Sequence, residues 1–246
     1  MILLKNRKMG KVAFLFAGQG GQDGRTADVQ PAIFRESLAQ ARALKIVPDC
    51  VAGFSLGEIT ALVFAGVLGE EIVEVRATAM QECCDKMNGA MVAVVRLGKV
   101  VDFPGAWAVN FNSPEQIVYS MDAGVVDEFS KKVASLGGRA IKLSVSGAFH
   151  SPHMKGASEK VAEFLKGVEL GKPKMPIYSN VTAQPHIDKD LISKQIISPV
   201  LWQQTIENMI ADGVDAFIEC GPGNVLSGLV RKINDKVTVK KAEELL

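Results

Sequence analysis

The chain has 246 residues, 48% of them hydrophobic, with 28 Lys and Arg against 27 Asp and Glu and a formal net charge of +1. That length and apolar fraction suffice for a full core, as one domain or one domain carrying an inserted lobe. Near-balanced charge offers no electrostatic footprint for nucleic acid. The longest strongly apolar run, residues 59–68, is too short to cross a bilayer, so no membrane partner is expected. Ile2-Leu3-Leu4 precedes the first basic residues, the wrong order for a secretory signal. Cys50, Cys83, Cys84 and Cys220 form no C-x-x-C pair, and the three histidines include no H-E-x-x-H, so neither a disulfide framework nor a zinc site is suggested. The expectation is a reduced, cytoplasmic protein.

Residues 12–16 form an apolar, β-prone run that breaks into Gly18-Gln19-Gly20-Gly21, which reads as a strand feeding a glycine loop. That loop lacks G-x-x-x-x-G-K-[ST] and G-x-G-x-x-G, which weakens a phosphate cradle and leaves an ordinary tight turn as the plain alternative. Residues 31–44 have helical spacing. Cys50-Val51-Ala52 is a short apolar run leading into Gly53-Phe54-Ser55-Leu56-Gly57. Two readings compete there. Ser55-Leu56-Gly57-Glu58 fits S-x-x-E, a capping box for the helix predicted by Leu56, Ile59, Leu62 and Val63. It equally fits G-x-S-x-G, in which a nucleophilic serine sits on a strained strand-to-helix turn. A cap needs neither glycine; the turn needs both, because side chains at the flanking positions would collide.

A second helix is predicted over residues 70–86. From Met91 the texture changes: short β-like runs at 91–95, 107–111 and 116–120, a helical stretch at 122–136, then a strand at 139–143. Strands and one helix in so short a span indicate a small α+β lobe. Alternation then resumes, with a helix at 151–165, a strand at 175–178, a helix at 201–211 and a strand at 216–219 running into Gly221-Pro222-Gly223. The fold class expected is α/β: a core of residues 1–88 and 146–246, interrupted by a lobe at 89–145.

A serine hydroxyl needs a neighbouring base to attack a carbonyl. His186 follows Pro185 in a polar stretch and reads as an exposed loop residue. His150 and His153 lie together in SGAFHSPHM, before a helix that Ser151 and Pro152 can start; the plain alternative for either is a satisfied loop or core histidine. Backbone amides must also face the developing oxyanion, and Leu56 after the serine and Gln19 in the glycine loop are the candidates. Arg76, among small and apolar neighbours in EVRATAMQECC, offers a bidentate grip on a carboxylate, although most arginines are merely solvated.

FLFAGQGGQ, GFSLGEITALVFAGVL, RATAMQ, GAMVAV, NFNSPEQIV, VSGAFHSPHM, YSNVTAQP and ECGPGNVLSGLVRKI, in this order and nearly end to end, resemble the malonyl-CoA:acyl carrier protein transacylase family, which includes the acyltransferase domains of fatty acid and polyketide synthases. The resemblance implies a hydrolase-like α/β core with a ferredoxin-like insert. It implies ping-pong transfer of a malonyl group from malonyl-CoA to the phosphopantetheine thiol of acyl carrier protein, with no metal or redox cofactor. Carried onto matching positions, it makes Ser55 the acylated nucleophile and His150 its base. It assigns the Gln195 backbone carbonyl to orienting that base, the Gln19 and Leu56 amides to the oxyanion hole and Arg76 to the malonyl carboxylate. Phe149, in the GAFH tetrapeptide, would crowd the methyl of methylmalonate, and Asn112 and Asn180 would be further substrate contacts. A serine hydrolase and a non-catalytic carrier-binding remnant are the alternatives. Phe54 stands where the family usually has histidine. The stretch 23–29 replaces several helices, a loss expected to bare apolar core, and residues 98–106 are also short. Met9-Gly10-Lys11 resembles a family start.

Overall fold

A computed structural model describes residues 10–20, 24–145 and 147–246. The readings of residues 1–9, of Gly21 to Asp23 and of Ser146 lie outside them. The first apolar run becomes β1 (Lys11–Phe16), with Val12 to Phe16 all buried. Such a continuous apolar strand belongs in the middle of a parallel sheet covered on both faces. β1 indeed lies centrally, between β2 (Cys50–Gly53) and β8 (Val214–Cys220). β7 (Ile177–Tyr178) flanks β2 and β9 (Thr238–Lys241) flanks β8, and all four pairings are parallel.

Helices cover this sheet. α1 (Thr26–Ala43) starts five residues earlier than expected and contains Pro31. Proline there removes one helical hydrogen bond, but burial of Val29, Ile33, Phe34 and Leu38, each about 1.5–3 kcal/mol for a full side chain, outweighs that loss. α2 (Leu56–Phe64) is buried almost all round, as a core helix must be if it is apolar on every face. Its Phe64 ring meets Phe14 and Phe16 at 5.9 and 5.4 Å. α3 (Glu71–Cys84) follows. The shortened stretch before α1 does not bare the core there: the exposed large apolar side chains among the described residues are Val47, Val100, Leu136, Ile141, Val225, Leu245 and Leu246, none on α1.

The change of texture at Met91 marks a second, antiparallel sheet. β3 (Gly89–Val95), β4 (Ala106–Ser113), β5 (Gln116–Asp122) and β6 (Arg139–Lys142) run in the order β4-β5-β3-β6. α4 (Val126–Ser135) packs Phe129 and Val133 with Val92 and Tyr119. The predicted helix at 122–136 is split: Asp122 accepts a 2.7 Å bond from the Gly124 amide and caps a 3-10 turn first. Ser151 likewise starts a 3-10 turn before α5 (Lys155–Lys166). α6 (Lys189–Lys194), α7 (Trp202–Ala211) and α8 (Val225–Ile233) complete the helices; α6, α8 and β9 are additions to the sequence reading. The antiparallel sheet is stitched to the segment leading into α7, where Phe111 N donates to the Val200 carbonyl at 2.9 Å and Val200 N donates to that of Val109 at 2.8 Å.

Candidate active site

β2 ends at Gly53 and α2 begins at Leu56, so the chain must reverse within Phe54 and Ser55. Ser55 takes φ 54°, ψ −104°, a conformation costing on the order of 1–3 kcal/mol. Both flanking glycines have a steric cause. A Cβ on Gly53 would lie 1.9 Å from the Gly57 carbonyl, and one on Gly57 would lie 2.0 Å from the Phe16 oxygen. The capping-box reading fails, since the Ser55 side chain makes no cap bond. Hydrogen bonds hold the strained turn instead. Ser55 N donates to Asn180 Oδ1 at 2.7 Å, Asn180 Nδ2 to the Gly53 carbonyl at 2.7 Å, and Gln195 Nε2 to the Ser55 carbonyl at 2.7 Å.

The serine hydroxyl, freed from capping, lies 2.8 Å from His150 Nε2. His150 is buried, and its Nδ1 faces the carbonyls of Gln195 at 2.9 Å and Ser198 at 3.1 Å. Carbonyls only accept, so Nδ1 carries the proton and Nε2 is left as the acceptor for the Ser55 O–H. Burial, and then the charge of Arg76, pushes His150 down to about 4, so the ring is neutral at physiological pH. The arrangement can therefore accept the serine proton. Of the other histidines, His153 is exposed and stacks edge-on with Trp107 at 4.9 Å, and His186 pairs with Asp188 at the surface.

Arg76 is fully buried rather than solvated. Its Nη2 donates to Ser55 Oγ at 3.0 Å and to Gln195 Oε1 at 3.2 Å, while Nη1 donates to Gln30 Oε1 at 2.6 Å; Nε has no partner. Burial lowers this guanidinium to about 10, opposed by Glu58. Gln30 Nε2 in turn reaches Gln19 Oε1 at 3.3 Å, tying the glycine loop to the arginine. Leu56, first residue of α2, has one of the amides that a helix leaves without an intrahelical acceptor.

A cleft of about 280 Å³ opens over the serine between the two sheets. Gln19, Phe54, Ser55, Asn112, Phe149 and His150 all line it. Asn112 donates to Gln116 at 2.9 Å and keeps a buried, unpartnered Oδ1. Phe54 meets Trp202 edge-on at 5.3 Å and makes one wall apolar. Asn180, expected among the substrate contacts, is fully buried and outside this lining, with both ends of its amide committed to the elbow backbone. Among the described residues no three His, Cys, Asp or Glu side chains gather as a metal site.

Residues 11–245 match the sequence profile of the acyl transferase domain. The chain belongs to the acyl transferase family. It is 38% identical over 251 residues to a malonyl CoA-acyl carrier protein transacylase of Staphylococcus aureus, covering 94% of this chain and 82% of that one. An acyl carrier protein S-malonyltransferase from Vibrio cholerae superposes with a TM-score of 0.85 at 29% identity, covering 94% of this chain and 96% of that one. A malonyl-transacylase solved in complex with a type II polyketide synthase acyl-carrier protein superposes with a TM-score of 0.82 at 28% identity, covering 94% of each chain.

Within this acyl transferase, several residues around the serine were not singled out for a role in the site from the sequence. Gln30 lies on the buried face of α1, where a polar residue amid Val29, Ile33 and Phe34 was the available clue. Ser198 contributes only a carbonyl. Glu58 matched a capping box, yet it is buried with Oε2 accepting from Asn180 N at 3.2 Å and Gln195 Nε2 at 3.0 Å. Glu219 also lines the cleft, where its carboxylate accepts from the Leu226 and Ser227 amides at 3.0 and 2.8 Å and occupies the start of α8.

Proposed function

We propose that this chain transfers a malonyl group from malonyl-CoA to the phosphopantetheine thiol of acyl carrier protein, through an acyl-enzyme on Ser55. One observation carries the reading: a fully buried guanidinium lies 3.0 Å from a serine oxygen that is itself 2.8 Å from a neutral, carbonyl-oriented histidine. The names of the relatives agree with it.

In this mechanism Ser55 Oγ attacks the thioester carbonyl while His150 Nε2 takes its proton. The Gln195 carbonyl fixes the working tautomer, as an aspartate does in a triad. Negative charge on the carbonyl oxygen is received by the Gln19 and Leu56 amides. The C–S bond breaks and coenzyme A leaves as the thiol, carrying the proton back from His150. The carrier thiol then reverses the sequence. Arg76 exchanges its resting hydrogen bonds for the malonyl carboxylate, whose burial needs a charged partner. Phe149 crowds the carbon that bears the methyl of methylmalonate, and Asn112 offers its unpartnered oxygen to the substrate. The coenzyme A thioester serves as substrate, and the chemistry requires no metal or redox group.

The finer architecture we assign is a hydrolase-like core of residues 1–88 and 146–246 with a ferredoxin-like insert at 89–145. The insert's strand order β4-β5-β3-β6 supports this, being second, third, first and fourth in the order of its own strands. We assign the protein to the cytoplasm; among the described residues no helix is long and apolar enough to cross a membrane. The test is intact mass after incubation with malonyl-CoA, followed by addition of acyl carrier protein. Wild type gains a malonyl adduct and passes it to the carrier, whereas Ser55→Ala gains none. An adduct persisting on Ser55→Ala removes the nucleophile assignment, and release of free malonate instead of transfer means a hydrolase.

A further inference from the structure

Glu58 lies in the first turn of α2, 1% exposed, three residues beyond the reactive serine. Its Oε2 is held by Asn180 and Gln195, while its Oε1 is buried without a partner. The Gln195 amide bridges it to the arginine: Nε2 faces Glu58, and Oε1 accepts from Arg76 Nη2. Arg76 on α3 is the charged side chain that acts on Glu58, and it also acts on His150, the other titratable group of the cluster. The hydrogen bonds from Gln195 and Asn180, and in the smallest measure the nearby Ser179, also lower the Glu58 carboxyl. Beside the serine, the buried cation of Arg76 thus faces the buried carboxylate of Glu58, while the other buried carboxylate of the cleft, Glu219, is held by the amides that start α8.

A substrate whose own carboxylate settles on Arg76 upsets this balance. The buried guanidinium would then face two anions, and an uncompensated buried charge is costly enough that a group changes protonation instead. We propose that Glu58 resolves the excess: docking of the malonyl carboxylate on Arg76 is coupled to uptake of one solvent proton on Glu58 Oε1, and departure of the malonyl group returns it. The inference rests on Arg76 receiving that carboxylate. The coupled proton is separate from the one His150 shuttles. In acylation the Ser55 Oγ–C bond forms, the C–S bond breaks and the hydroxyl proton leaves on the thiol, so that step is balanced without Glu58.

Burial already brings this carboxyl to about 7, against the lowering effects of its hydrogen bonds and of Arg76, so little further change is needed to protonate it. Above about pH 7 each unit should therefore weaken malonyl binding by up to about tenfold, because a proton must be bought from a scarcer supply. An acyl donor without a carboxylate leaves the balance untouched and shows no such slope.

The experiment mixes wild-type protein with malonyl-CoA or acetyl-CoA in weakly buffered indicator solution near pH 8, with adduct formation counted by intact mass. The expected result is about one proton taken up per malonyl-enzyme, none per acetyl-enzyme, and uptake fading toward about pH 6. Glu58→Gln should abolish the uptake and flatten the alkaline rise of KM for malonyl-CoA. Equal uptake with both donors overturns the proposal, as does uptake persisting in Glu58→Gln, which would make His150 the acceptor. Should Glu58→Gln not fold, the contrast between donors on wild type decides alone. If malonyl-CoA yields no adduct, the transacylase reading fails rather than the coupling.

Discussion

Replacing Arg76 by alanine tests the substrate reading most directly. The guanidinium has two donor nitrogens aimed at the reactive end of the site, at Ser55, Gln195 and Gln30, over distances of 2.6–3.2 Å. A carboxylate bound there accepts two charge-assisted hydrogen bonds, worth roughly 1.5–3 kcal/mol each. Their loss removes about 3–6 kcal/mol, or roughly two to four orders of magnitude in kcat/KM for malonyl-CoA. Acetyl-CoA has no such group, so its rate should change far less and the malonyl-to-acetyl ratio should collapse. The variant should still fold: the anion left behind, Glu58, is held near 7 and is neutralised cheaply. Arg76→Lys should rescue only in part, because an ammonium cannot reproduce the planar fork. The assay is steady-state kcat/KM for both donors in each variant. An unchanged ratio in Arg76→Ala would refute the reasoning and leave selectivity to Phe149.

His150→Ala should slow acylation of Ser55 by several orders of magnitude in stopped-flow experiments, while His153→Ala should do much less; the opposite ranking would mean the wrong histidine was chosen. In the proposed mechanism the neutral His150 ring takes the proton, and burial lowers it to about 4, so with acetyl-CoA the acylation rate should hold through the usual histidine range and be lost as pH falls through about 4. An acid limb near 6.5, the ordinary histidine value, would contradict this burial argument. Gly57→Ala should not yield a native elbow, because its methyl group would lie 2.0 Å from the Phe16 carbonyl; circular dichroism and thermal melting matching wild type would count against that steric account.

Much of this site was legible because sterics write themselves into sequence. Gly53 and Gly57 flank Ser55 for reasons that any residue with a Cβ would violate, and the apolar runs of β1 and α2 show which elements are buried on all sides. What escaped is chemistry supplied by backbone and by distant polar residues. The Ser198 carbonyl could come from any residue type. Gln30 meets Arg76, and Glu58 meets Asn180 and Gln195, only after the fold has brought distant segments together. Glu58 shows the limit best: S-x-x-E is satisfied in letters, yet the left-handed φ of Ser55 turns its hydroxyl toward His150, and the glutamate is left to bond Gln195 and Asn180. Helix α8 did carry a pattern, with Leu226, Leu229 and Val230 on one face, but its nine residues directly after a glycine-proline loop offer little length for a period to declare itself.

The bridge between Val200 and strand β4 gives the cleft a mechanical property. Val200 is bonded on both sides to the antiparallel sheet, two residues after Ser198 and five after Gln195, whose carbonyls hold the His150 ring. That sheet forms one jaw of the cleft and the elbow of Ser55 forms the other. Spreading the jaws must therefore either break the Val200 bonds or drag the carbonyl rest away from the imidazole. If His150 is the base proposed above, width and readiness are geared together: an acyl group too bulky to fit would lever the ring out of alignment as it forced its way in, and would be rejected by stalling as well as by clashing.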